Sequence, residues 1–557
     1  MDRRLVLAIG LMLIVAVLPS ILFPPKPPPA PAKSEVESDS ALAPGGDTAV
    51  EQPVVPSTPV VRAPPVVPPQ DTASETEMLE QDSVVVESDL YRYVFSTIGA
   101  RLVSARLKTY QSFAPGESGP AQLIPEDSWF FEHSLVFGGD TISLSDWEFS
   151  PSRREVSVDG GVETIEWVGQ RGTVTVTLVQ SFEPDQFLFG VQGRVTGGSS
   201  DAAVVLVSLG PRMRLVEADS TWDFRSYAVV TKARSIERTT FSSLDPGERR
   251  EIGGPLDWVA YKSRYFATAV LTVDEALPRI GAAIVTGGPR LDKYAKEADL
   301  RISLPAPGGQ FSYEVYLGPQ EVRLLSRVGH DLQDMNPYGW FLRPIIQPIA
   351  DIVARILVWM HETLRLEYGW VLILFGVAVR LVMWPLNQKA MHSSMAMQAI
   401  QPEIKAIQEK HKGDPQRLQQ ETMKLYREHG VNPLGGCLPM LLPMPVLFAL
   451  FFVFRETIEF RGVPFLWLPD LSRADPLYII PIVMGLSMYV VSKLGQRGVP
   501  PNPQAKMMLY FMPVMLTVLF FKFAAGLNLY YAVSNISSIP QQWMISEKRL
   551  KRIGRKP

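Results

Sequence analysis

The stretch Gly369–Leu386 reads GWVLILFGVAVRLVMWPL, eighteen residues in which Arg380 is the sole charge. A run of this length and apolarity is a candidate transmembrane helix, because about 20 helical residues cross a hydrocarbon core of ~30 Å. Four more apolar runs follow: Leu434–Phe454, Leu477–Val491, Met507–Phe521 and Leu527–Trp543. None of them holds an Asp, Glu, Lys or Arg. The C-terminal part therefore reads as an α-helical polytopic membrane protein with a five-helix core. Leu477–Val491 and Met507–Phe521 have 15 residues each, ~23 Å of helix. Spans that short thin the bilayer around them.

On the N-terminal side of this core, Tyr338–Thr363 carries apolar residues at three- and four-residue steps (Ile345, Ile346, Ile349, Ile352, Val353, Ile356, Leu357, Met360). Arg343, Gln347, Asp351 and Arg355 fall between them. This period predicts an amphipathic helix lying in the membrane surface. A helix packed on a soluble domain is the competing reading. Further upstream, from about Ser83, the period changes to two: Arg92–Phe95, Thr173–Val179, Phe187–Val195 and Ala203–Leu209 read as strands of a large all-β domain. A docking or structural module and a sugar-binding or sugar-enzyme fold both suit it. Residues 24–82 hold 14 prolines among small and polar residues, the composition of an extended tether. Leu5–Phe23 follows Arg3 and Arg4 and reads as an uncleaved anchor or as a signal peptide.

The resulting organisation is an anchor (1–23), a linker (24–82), a periplasmic β-sandwich (83–335) and an interfacial helix (336–364). Then come a membrane helix (365–386), a cytoplasmic helical hairpin (387–433), four more membrane helices (434–545) and a basic tail (546–557). In the hairpin, Asp414 caps a helix with Pro415 at its first position, and Gly430 ends it. Charge sorting supports this topology: residues 24–335 carry 28 Lys+Arg against 43 Asp+Glu, whereas the last twelve residues carry six basic residues and one acid. Both termini then fall on the cytoplasmic side by the positive-inside rule. The outer loops carry Arg455, Arg461, Arg473 and Lys522 near their ends. Cys437 is the sole cysteine, so no intrachain disulfide supports the exported domain. Six scattered histidines without ligand spacing predict no metal. No phosphate loop or nucleophile elbow is visible, so neither a cofactor nor an enzyme activity is expected.

Arg380 lies six residues, ~9 Å of helix, before Leu386. A guanidinium at this depth either faces a watery cavity, where it would attract an anionic guest, or snorkels to the headgroups. Asn528, Tyr531, Asn535 and Ser538 share one face of the last span. They line the same cavity or hydrogen-bond between helices. Lys405, Lys410, Lys412, Arg417, Lys424 and Arg427 make the hairpin a docking arm or a solvated face. The basic tail suits anionic lipid or ribosomal RNA.

Several motifs resemble the YidC family of insertases. They are Tyr338-Gly339-Trp340, Arg380 with Met383-Trp384-Pro385-Leu386, the run Val431–Pro439, Asp475-Pro476-Leu477-Tyr478, Phe511-Met512-Pro513 and Gly526–Tyr531 with Ser534-Asn535. The resemblance implies a membrane protein insertase and chaperone with a positively charged groove around Arg380 and Tyr531, open to cytoplasm and lipid. It implies client exit along the helices bearing Leu447 and Val514, and a β-supersandwich-like periplasmic domain touching the Sec translocon. The hairpin and tail would meet the ribosome, the signal-recognition machinery and nascent membrane proteins. Gly376 stands where some members carry a hydroxyl residue, which leaves less polar groove lining. Two other classes remain: a small-molecule transporter, disfavoured by the lack of an inverted repeat, and an envelope sugar enzyme acting through the β-domain. Deleting 83–327 separates the last case, since an insertase keeps much of its function.

Overall fold

The computed structural model describes residues 83–137, 140–197, 204–273, 279–290, 294–336, 342–411, 413–430, 444–498 and 503–552. The expected anchor and linker, the Tyr338-Gly339-Trp340 motif, Lys412 and the 431–443 run with Cys437 lie outside them.

Strict alternation of inward apolar and outward polar side chains builds the β-part. In Glu163–Arg171, Ile165, Trp167 and Gly169 point inward while Glu166, Val168 and Gln170 face out. The strand pairs antiparallel with Val174–Phe182, which pairs in turn with Leu188–Thr196. These strands belong to a nine-stranded sheet that also contains Gln310–Pro319, Phe266–Leu271 and Trp258–Lys262; six- and five-stranded sheets complete the β-part. A single hydrophobic core joins all three. Its largest fully buried side chains are aromatic, among them Trp167, Trp258, Tyr91, Tyr93 and Phe95. Each contributes on the order of 2–3 kcal/mol by leaving water, which lets the domain stand without a disulfide. Two polar groups inside the core are partnered: Trp167 Nε1 donates to Gln180 Oε1 at 3.1 Å, and His133 Nε2 lies 2.8 Å from the Tyr313 hydroxyl.

Two short helices, α1 (Ser220–Ser226) and α2 (Val322–Val328), decorate the β-part. The helical part follows as α3 (Arg343–Leu364), α4 (Tyr368–Val382), α5 (Trp384–Ala399), α6 (Gln401–Lys410) and α7 (Pro415–Glu428). It continues with α8 (Met444–Glu456), α9 (Ile479–Gly495), α10 (Pro503–Phe520) and α11 (Ala525–Arg552). No helix among the described residues is both long and apolar enough to cross a membrane. Helices α4, α8, α9 and α11 share a second core with Val371, Phe375, Leu450, Phe454, Met484 and Tyr530. Close approach requires small residues here. A Cβ at Gly485 would stand 1.9 Å from Thr517 Oγ1 of α10, and one at Gly526 2.4 Å from Phe454.

Helix α3 divides its apolar side chains between two environments. Ile346, Val353 and Leu357 are buried in the helical core, whereas Ile352 and Trp359 are more than half exposed. The helix thus has one apolar flank packed and a second left open. Helix α11 runs without interruption to Arg552. Arg549 is buried and donates to the carbonyls of Gly495 (2.7 Å) and Arg497 (3.1 Å), closing the C-terminus of α9. Orphan carbonyls at a helix C-terminus attract a cation in this way, and Arg549 Nη1 is engaged there.

Candidate functional site

Arg380 sits on the last turn of α4, half-buried. The helix pauses at Met383, yet Asn387 N–H still donates to Met383 O at 2.9 Å, so the chain stays nearly helical into α5. Asn387, seven residues on and therefore two turns along the same face, reaches the guanidinium. With its carboxamide oxygen turned toward the arginine, it accepts from Nη1 at 3.2 Å and Nη2 at 2.9 Å. Gln541 of α11 lies 3.2 Å from the same amide and donates through Nε2 to the Trp384 carbonyl, also at 3.2 Å. Tyr530 and Tyr531 are close enough to act on the guanidinium electrostatically. Its Nε is buried with no hydrogen-bond partner among the described residues. The cation is thus held by neutral groups and keeps unused donor capacity.

The other candidates on α11 and α4 have distinct surroundings. Tyr531 is half-buried and stacks on Phe520, with ring centroids 5.9 Å apart. Asn535 has a buried amide nitrogen without a partner among the described residues. Asn528 is fully buried and donates to Phe520 O at 3.0 Å and Phe523 O at 3.5 Å, tying the end of α10 to the start of α11. Gly376 is buried where a Cβ would press on Val533 at 3.2 Å and on Tyr530 at 3.5 Å. Its role in the structure is close α4–α11 packing. Leu447 is half-buried in α8, while Val514 of α10 is 64% exposed. The sequence reading did not single out Asn387 or Gln541, although the seven-residue step from Arg380 offers a signal for Asn387.

Helices α6 and α7 form the expected pair of arms. Asp414 accepts from Arg417 N–H at 3.0 Å as an N-cap, and Gly430 takes a positive φ of 61° beyond the end of α7. Lys405, Lys410, Arg417, Lys424 and Arg427 are all exposed.

At the opposite end of α8 a second charged site joins the β-part to the helices. Glu456 is buried 3.0 Å from Arg455 and 3.6 Å from the fully buried Lys262. Lys262 also donates to Asn336 Oδ1. Arg461 Nε donates to Glu217 at 2.7 Å, and its Nη2 donates to the carbonyls of Gln111 (2.8 Å) and Val216 (3.2 Å). Arg264 donates to the Arg455 carbonyl at 2.9 Å. Burial alone would raise the Glu456 carboxyl. The four cations around it (Arg455, Lys262, Arg238 and Arg264) outweigh this and hold it down at about 2. Burial pulls the Lys262 ammonium down to about 7, against the opposing pull of Glu456. Between α8 and α9, Asp475 accepts from Trp467 Nε1 (3.1 Å), Leu477 N–H (3.0 Å) and Ile480 N–H (2.8 Å). The connection is therefore a built part of the seam.

The family model described as 60Kd inner membrane protein matches residues 359–552, and the YidC periplasmic domain model matches 83–352. The membrane protein insertase YidC of Ralstonia nicotianae is 32% identical over 91% of this chain and 90% of its own length. That of Citrifermentans bemidjiense is 31% identical over 98% and 99%. A solved active YidC insertase with its first transmembrane domain resolved is similar at 19% identity and TM-score 0.34, over 83% of this chain and 92% of that one. The β-part is thus the periplasmic domain of an inner-membrane protein whose relatives are named as insertases and whose substrates are nascent membrane proteins. Full-length similarity to these relatives, together with both family models in order along the sequence, places the chain in the YidC family of membrane protein insertases.

Proposed function

We propose that insertion proceeds through a hydrophilic groove in which Arg380 attracts negative charge on the incoming chain. The observation that carries this reading is the guanidinium itself, half-buried, held by Asn387, and with Nε uncommitted among the described residues. An arginine whose neighbours are neutral keeps its charge for a guest, and in a low-dielectric site that attraction is several times its value in water. Tyr531 and Asn535 line the groove. Asn528 and Gly376 act in its wall, by tying α10 to α11 and by bringing α4 against α11.

The apolar runs Leu477–Val491 and Met507–Phe521 have 15 residues each, ~23 Å of rise against a core of ~30 Å. A short helix thins the bilayer around the groove and lowers the barrier for a polar segment. Burial of the client's own apolar span in lipid then completes transfer, with a client leaving past Leu447 and the exposed Val514. In this reading both termini and the α6–α7 arms are cytoplasmic. Lys405, Lys410, Lys412, Arg417, Lys424 and Arg427 face the ribosome and signal-recognition machinery, and the periplasmic domain faces the Sec translocon.

Site-specific photocrosslinking to a stalled single-span client tests the path. Probes at Tyr531, Leu447 and Val514 are expected to label the client, and probes at Val168 on the outer face of the β-domain are not. Labelling at none of the three groove and exit positions, with insertion unchanged on depletion of the protein, would contradict it.

A further inference from the structure

Where the periplasmic domain meets the outer ends of α8, α10 and α11, a cavity of about 330 Å³ opens between them. Its lining combines Trp222 and Arg264 from the β-part with Phe451, Arg455, Arg473 and Lys522 from the helical part. Four cations thus converge at the periplasmic surface, the side on which topology disfavours them. Asp219 is the one acid in this lining, and its Oδ1 is already accepting from Trp222 N–H at 3.1 Å. Behind the wall, Arg455 is shared with Glu456 at 3.0 Å, and Arg264 is anchored on the Arg455 carbonyl. Arg473 and Lys522 are exposed at the mouth, and neither forms an ion pair among the described residues. Arg455 Nε faces the Glu456 carboxylate at 3.0 Å, which leaves the far end of its guanidinium toward the cavity. The guanidinium lies over the Trp222 ring, 5.0 Å from its centroid.

We infer that this cavity binds the phosphate headgroup of an anionic phospholipid from the outer leaflet. Guanidinium and ammonium donors supply the charge-assisted hydrogen bonds that a phosphodiester accepts. Phe451, Phe454, Phe523 and Leu527 on the cavity wall match the glycerol and upper acyl carbons below it. Trp222 sits at the level where an indole prefers a membrane–water boundary. Free phosphate shares the headgroup chemistry but leaves the apolar wall unmatched, which favours the lipid. A bound lipid would moor the periplasmic domain to the membrane at the seam, independently of the groove around Arg380.

The test uses the full-length protein in phosphatidylcholine nanodiscs doped with photoactivatable phosphatidylglycerol, reading label in peptides containing Trp222 or Phe451. Arg473→Gln with Lys522→Gln is expected to cut this labelling about tenfold or more, given the known worth of a basic residue near an anionic surface. Both side chains are exposed, so the fold should hold, and an unchanged thermal midpoint checks that it does. The charge-preserving pair Arg473→Lys and Lys522→Arg is expected to retain labelling. A photoactivatable phosphatidylcholine analogue should label these peptides no better than the double-glutamine variant is labelled by the anionic probe. Equal labelling of wild type and the double-glutamine variant overturns the inference. So does displacement of the lipid by an equimolar concentration of inorganic phosphate, which would reassign the cavity to free anions.

Discussion

Two sites with arginine at their centre lie at opposite ends of the helical core and are built on opposite principles. At the outer seam, charges are matched across elements: Glu456 stands among Arg455, Lys262, Arg238 and Arg264, and Arg461 is bound by Glu217 and two backbone carbonyls. At the inner site, Arg380 has the neutral Asn387, Gln541, Tyr530 and Tyr531 around it. A buried cation that shares a buried acid fixes geometry. One supported only by neutral dipoles keeps its field available to a passing charge. In the proposed mechanism the seam holds the periplasmic domain in place, and Arg380 receives the charge of the client.

The largest effect should come from removing the seam's anion. Glu456→Ala leaves Lys262, which is fully buried, and three arginines without their counter-charge. Breaking one partner of a buried pair costs roughly 3–5 kcal/mol, so thermal unfolding should begin in the periplasmic domain and protease should cut near the seam. By contrast, Arg380→Ala should leave the unfolding midpoint close to wild type, because no buried acid is orphaned by it. Equal destabilisation by the two variants would erase the distinction drawn between the sites.

Acid should loosen the seam next. The Glu456 carboxyl is held at about 2 in the folded protein against an ordinary value of 4.5. In between, the unfolded chain binds the extra proton, so this stability is present above about pH 4.5 and is lost as pH falls toward 2. Its size is roughly 3 kcal/mol at most. Lys262 acts in a different window: its ammonium sits at about 7 against 10.5. The unfolded chain holds more protons across that range, and stability rises with pH through it. Unfolding followed at pH 2–5 should lose its acid-sensitive component in Glu456→Gln.

Smaller effects sharpen the account of the helical part. Gly485→Ala puts a methyl into Thr517 Oγ1 of the neighbouring helix, an overpacking of about 1–3 kcal/mol. It should lower the midpoint without touching the arms. Asp414→Ala removes the N-cap of α7, about 1 kcal/mol. Hydrogen exchange should quicken in Pro415–Glu428 alone, with the β-domain unchanged.

The two sites also differ in how far they could be read from sequence. Period-two patterning located Val174–Phe182 and Leu188–Thr196 to within a few residues, because a half-buried strand writes its burial into local order. Arg380 was visible because a lone charge in an apolar run needs no second residue to be noticed. The seam was not visible. Arg461 pairs with Glu217 and Gln111, which are 244 and 350 positions away, and no local period encodes such a contact. Arg549 looked like one basic residue among six until its bond to Gly495 O showed a helix terminus beneath it. Gly376 reads as missing polarity in sequence and as helix contact in space. In each case the sequence lacks the neighbour that gives the residue its meaning.

Action of Arg380 through its charge on the client is read out by a charge-matched client series. A single-span client is made with an acidic, a neutral and a basic translocated tail, and insertion is measured with wild type, Arg380→Lys and Arg380→Gln. The account predicts that Arg380→Gln impairs the acidic-tailed client by tenfold or so, a loss of ~1.4 kcal/mol of attraction. It also predicts that the neutral tail is nearly unaffected and that Arg380→Lys retains most of the acidic-tail insertion. Equal loss on all three tails, or no loss on any, would contradict it.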